Sequence, residues 1–145
     1  MTGQPFTEAY RRDVLSANDT SLDSTVATLA VTAVAETAPD RVIDALSAIQ
    51  SARYVDGKDV TSPTVVAELL AELGLADAAA RIRAPDAALA DLVRNRTAEA
   101  RNLMATFGLQ GVPALISEIK GTRRVIDSST LYSGPDAMLA TLGLA

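Results

Sequence analysis

A chain of 145 residues with 48% hydrophobic and 21% charged side chains has the make-up of one folded domain with a substantial core. Its net charge of -5 argues against a nucleic-acid surface, which needs clustered Lys and Arg; here the arginines are scattered among acids. Cys and His are both absent, so a thiol nucleophile, a disulfide, a Cys/His zinc site and a histidine acid or base are excluded within these residues.

From Met1 to Ser21 neither helical nor strand periodicity is sustained, and the segment reads as an extended lead-in with one short helical turn around Glu8 to Val14. Asp23 or Ser24 then caps a helix over residues 25–38, with Val26, Leu29, Ala30, Ala33 and Val34 on one face. Pro39 stops it. A second helix follows over 40–54 with Val42, Ile43, Leu46, Ile49 and Tyr54 as its stripe, ended by Asp56-Gly57, and the two are expected to lie antiparallel. Thr61-Ser62-Pro63 is a cap followed by Pro in the first turn, and opens a helix with Val66, Leu69, Leu70 and Leu73 on its apolar face and Gly74 as its stop. A short alanine-rich helix over 77–83 has only a weak stripe. The longest helix spans 86–107, with Leu89, Leu92, Val93, Ala100, Leu103, Met104 and Phe107 clustered and Arg94, Asn95, Glu99 and Arg101 on the solvated side.

The period changes after Phe107-Gly-Leu-Gln-Gly-Val-Pro113. Gly108 and Gly111 permit a reversal, and a Pro can open a strand but not sit inside its ladder. Pro113 is therefore a candidate cis-proline at a strand entrance; a trans bond in an ordinary helix-to-strand loop, the commoner form of X-Pro, is the alternative. Residues 114–119 and 123–126 read as strands joined by Lys120-Gly121-Thr122, a hairpin, and Ser133 with Pro135 begins a last helix closed by Gly143. Tyr54 to Asp59 lacks the oxygen-ligand spacing of a calcium loop. Asp13, Asp19 and Asp23 read as caps and solvated acids, Ser128-Ser129-Thr130 as a polar loop, and Gly108 to Gly111 as no phosphate cradle, since it leads into a strand. No catalytic residue, metal site or cofactor is expected. With no apolar run of 18 residues and no secretory signal, a cytoplasmic location is expected.

In that order the chain resembles the DsbA-like branch of thioredoxin-fold proteins, especially protein-disulfide isomerases and FrnE-type oxidoreductases. The residues that carry the resemblance are Thr2-Gly3-Gln4-Pro5-Phe6, Tyr54-Val55-Asp56-Gly57-Lys58-Asp59-Val60, Ser62-Pro63 through Leu73-Gly74-Leu75, and Gly108 to Ile116. The resemblance implies a mainly α (α+β) fold forming one shortened domain over 1–145. In it, 24–107 is a helical insertion and 108–145 the C-terminal strand-strand-helix part. The family's first strand, its Cys-x-x-Cys helix and its second strand would precede Thr2.

The resemblance further implies Val112 and Pro113 as the place where an extended peptide or a thiol ligand is held. Thiol-disulfide exchange needs an attacking thiolate and a resolving sulfur, and the sequence holds neither. The expected role is thus peptide or partner binding without redox chemistry. The alternatives are a fragment of an active disulfide oxidoreductase or of a kappa-type glutathione transferase or isomerase. Because a two-stranded hairpin is marginal alone and an open edge invites pairing, a homodimer through the C-terminal hairpin is expected.

Overall fold

The computed structural model describes residues 5–17, 23–112 and 114–143. Among them the fold is mainly α with one antiparallel hairpin, as expected. The described residues divide into two compact units, one reaching residue 96 and the other beginning at residue 97.

The first unit starts with a helical turn, α1 (Glu8–Tyr10), that continues into a wider π-type turn, Arg11–Leu15. Then come α2 (Thr25–Thr37), a 3-10 turn at Pro39–Arg41, α3 (Val42–Tyr54), α4 (Pro63–Glu72), α5 (Ala76–Arg83) and the start of α6 (Ala87–Thr106). Its core is built from Ala30, Ala33, Val34, Ala45, Ile49, Ala52, Val66, Leu70, Ile82 and Leu89 with their neighbours. Alanines at the crossings let the helices approach, and the branched side chains fill the space between them. The weakly striped α5 is held by this packing: Ala78, Ala79 and Ile82 are buried, and α5 lies against α4 and α2.

Two details depart from the apolar stripes read in the sequence. Ile43 is 72% exposed, because the inward face of α3 runs through Ala45, Ile49 and Ala52 at spacings of four and three, which leaves position 43 outside it. Of the residues assigned to one side of the longest helix, Leu89 alone is buried in α6 and Ala100 is exposed.

In the second unit α6 ends in a Schellman arrangement: the Gly108 N–H bonds the Ala105 carbonyl at 3.2 Å and the Leu109 N–H that of Met104 at 2.9 Å. The geometry puts φ of Gly108 at +64°, where a side chain would be strained. Strand β1 (Leu115–Ile119) pairs with β2 (Thr122–Ile126) in register Leu115 to Ile126 through Ile119 to Thr122. The turn is the two residues Lys120-Gly121, so Thr122 belongs to the strand rather than to the loop. The polar stretch Ser128–Tyr132 forms a 3-10 turn opened by the Asp127 carboxylate, which accepts from the Ser129 N–H at 2.8 Å. Last is α7 (Pro135–Leu142), closed by Gly143. Among the described residues no helix is long and apolar enough to cross a membrane.

Candidate functional site

Val112 follows the glycine reversal and is 83% exposed, a branched apolar side chain held out at the entrance to β1. Pro113, its partner in the ligand-holding pair read from the sequence, lies outside the described residues, as do Thr2-Gly3-Gln4 and Asp19.

Two of the stretches that carry the resemblance meet in the first unit. The lead-in folds onto the end of α3: the Thr7 N–H bonds the Tyr54 carbonyl at 3.2 Å, and the Thr7 hydroxyl donates to the Val55 carbonyl. Phe6, Tyr10 and Tyr54 form a triad with ring centroids 5.3 to 5.6 Å apart, two of the three contacts edge to face. Gly57 has φ of +68°, and a Cβ there would stand 2.8 Å from the Ala9 carbonyl oxygen. Tyr-Val-Asp-Gly is thus the seat of the lead-in. The sequence showed Asp56-Gly57 as a helix stop but not the close approach of Ala9, since a contact between residues 9 and 57 has no local signal.

Tyr54 also borders a cleft of about 240 Å³ lined by Ala27, Leu46, Ile49, Arg53 and Val60, with Asp23 and Ser24 at its rim. Arg53 is 9% exposed, its guanidinium stem forming part of the wall. Nothing in the sequence marked this cleft; Arg53 is one of several basic residues until α3 turns it inward.

Of the acids weighed earlier, Asp13 and Asp23 have hydrogen-bond partners, as do Asp59 and Asp127. Asp23 accepts from the hydroxyl and the N–H of Thr25 at 2.6 and 2.8 Å, and these bonds hold its carboxyl below the usual range. The bond from the Ser129 hydroxyl, with that from its N–H, does the same for Asp127. The Arg12 guanidinium lowers Asp13 by a hydrogen bond at 2.6 Å. Asp59 accepts from the Thr61 N–H and hydroxyl at 2.9 and 2.6 Å, forming the turn before α4. Among the described residues no group of three acids, His or Cys is placed to hold a metal.

No family model and no curated protein sequence matches the chain. Solved structures do. The chain is similar to the cytosolic disulfide reductase DsbM from Pseudomonas aeruginosa, with 35% identity and a TM-score of 0.83 over 99% of this chain and 70% of that one. The same protein with GSH gives 33% identity and a TM-score of 0.81 over 97% and 67%. A protein from Nitrosomonas europaea assigned as a protein disulfide isomerase gives 26% identity and a TM-score of 0.70 over 97% and 64%. Identity of this size, along nearly the whole of this chain and more than two thirds of DsbM, goes beyond a shared arrangement of helices. The chain belongs to the DsbA-like thioredoxin-fold family of disulfide oxidoreductases and isomerases.

Proposed function

We propose that these residues serve the family's chemistry by binding, holding an extended peptide or a thiol such as glutathione at Val112 and Pro113, and carry out no sulfur exchange themselves. The observation that carries this reading is 35% identity to a disulfide reductase in a chain without a single cysteine. Exchange breaks a disulfide when a thiolate attacks one sulfur and the other leaves as a thiolate. Neither atom is available here. The exposure of Val112 supports the placement of the ligand, and the GSH in one DsbM structure supports its chemical class. The cytosolic setting named for DsbM supports the same compartment for this chain. We further take 24–107 as the helical insertion and 108–145 as the C-terminal part of one domain.

A second reading is favoured by the share of DsbM that the match spans, 70%. In it these residues are the ligand-holding portion of a complete oxidoreductase whose dithiol lies outside the 145.

The test is titration of the 145-residue chain with reduced glutathione, followed through backbone amide shifts. The amides of Gly111, Val112 and Ala114 should move in a saturable way. The same chain should leave the rate of insulin reduction by dithiothreitol at that of the blank. Shifts that bypass this loop overturn the ligand site, and reduction above the blank overturns the binding-only reading.

A further inference from the structure

Asp56-Gly57 is the one Asp-Gly pair in the chain, and no Asn-Gly pair accompanies it. A glycine after an aspartate attacks its carboxyl more readily than other residues, since no Cβ shields the nitrogen or limits its rotation. The backbone on either side is held: the Asp56 N–H bonds the Ser51 carbonyl at 3.1 Å and the Lys58 N–H that of Ala52 at 2.8 Å. Between them, neither the Asp56 carboxylate nor the Gly57 N–H is bonded to any described residue.

The other loop aspartates are placed differently. Asp23, Asp59 and Asp127 each accept hydrogen bonds from the residue two places on, Thr25, Thr61 and Ser129. Such a bond carries the carboxylate past the next nitrogen in the chain and keeps it there as an acceptor. Ring closure at these sites first has to break it. Asp13, Asp44 and Asp91 are engaged by Arg12, Arg41 and Arg94.

We propose that Asp56 is a site of spontaneous isomerisation, where aspartate becomes isoaspartate through a succinimide, and that the change releases residues 5–15 from the end of α3. The Gly57 nitrogen attacks the side-chain carboxyl carbon of Asp56. A C–N bond forms, a C–O bond breaks, and the carboxyl hydroxyl leaves with the N–H proton as water. One water then adds to the main-chain carbonyl of the ring and opens it at its bond to nitrogen. The chain afterwards runs through the side-chain carbon, a free α-carboxylate is left, and the mass is unchanged. All the reacting atoms belong to two adjacent residues, so the step needs no partner molecule.

The consequence follows from the fit at Gly57, where a Cβ would stand 2.8 Å from the Ala9 carbonyl oxygen. Isoaspartate lengthens the main chain by one carbon just before that glycine. The Tyr54 and Val55 carbonyls lie before the added carbon and Gly57 lies after it, so the three no longer match Thr7 and Ala9 together. The bonds from Thr7 to Tyr54 and Val55 are then lost.

For the test, the 145-residue chain is incubated at 37 °C beside Asp56→Glu, whose longer side chain closes its six-membered ring far more slowly. The free peptide of residues 50–62 is incubated alongside until half of it has converted. Digestion with an endoprotease that cuts before aspartate but not isoaspartate, followed by mass spectrometry, reads each site. The wild type should lose the cut before residue 56 at unchanged mass and keep the cuts before Asp23, Asp59 and Asp127. It should also accept methyl groups from an isoaspartate methyltransferase, and Asp56→Glu should accept none. The Thr7 amide should exchange about two- to tenfold faster in the incubated wild type than in Asp56→Glu treated alike, as the loss of a hydrogen bond requires. A folded chain that stays unconverted while the peptide converts overturns the proposal, as does equal conversion at residue 23, 59 or 127. Conversion at 56 with the Thr7 amide as protected as before overturns the release of residues 5–15.

Discussion

Gly57→Ala tests whether the seat of the lead-in is a close backbone approach or merely a turn. Gly74 supplies the comparison: both glycines lie in the first unit with φ of +68° and +77°, but an added Cβ at 74 meets nothing within 4 Å. At Gly74 the cost is that of a side chain in the left-handed region, about 1 kcal/mol, and the entropy lost from the unfolded chain is the same at both sites. At Gly57 the Cβ would also fall 2.8 Å from the Ala9 carbonyl oxygen and 2.9 Å from its carbon, which are backbone atoms that cannot rotate away. The segment must shift, weakening the Thr7 bonds to Tyr54 and Val55, worth about 0.5 to 1.5 kcal/mol each, and the edge-to-face ring contacts, worth about 0.5 to 1.5 kcal/mol each. Gly57→Ala is thus expected to cost about 2 to 4 kcal/mol in total. Urea unfolding of both variants measures the difference, and hydrogen exchange of the Thr7 amide localises it. Equal losses at the two glycines, or a Thr7 amide as protected as in the wild type, would refute the reasoning.

Leu70, with no exposed surface, should lose about 2 to 5 kcal/mol as Leu70→Ala, whereas Ile43→Ala should stay within about 0.5 kcal/mol in the same unfolding assay. A large loss at Ile43 would contradict the inward face assigned to α3. The carboxyl of Asp23, lowered by Thr25, should titrate below the value of about 3.9 for a free aspartate, read from its side-chain carbon shift. Because its folded pKa is depressed, its contribution to stability is present above the unfolded value and lost as the pH falls through the folded one. A midpoint at or above the free value refutes the bonds from Thr25. Val112→Asp should leave stability within about 0.5 kcal/mol, since the side chain is exposed, while weakening glutathione-induced shifts in the loop; unchanged shifts would remove Val112 from the ligand site.

The helices were legible where punctuation and periodicity agree. Pro39, Ser62-Pro63, Gly74, Gly108 and Gly143 mark element ends by chemistry that acts within a few residues, and Lys120-Gly121 marks the hairpin in the same local way. Val66, Leu69 and Leu70 are buried as their spacing indicated. Ile43 and Ala100 were misplaced because spacing names a face without saying how much of it another helix covers. For α5 the opposite held: a weak stripe of alanines is buried because α4 and α2 come close enough to need small side chains.

The candidate site divides in the same manner. The exclusion of thiol and histidine chemistry within these residues follows from composition alone, and the glycine reversal before Val112 follows from local conformational freedom. The seating of residues 5 to 15 on Tyr54 to Gly57, the aromatic triad and the cleft beside Arg53 came only from the tertiary structure. Each depends on groups far apart along the chain, and no short-range periodicity encodes a distance between residues 9 and 57.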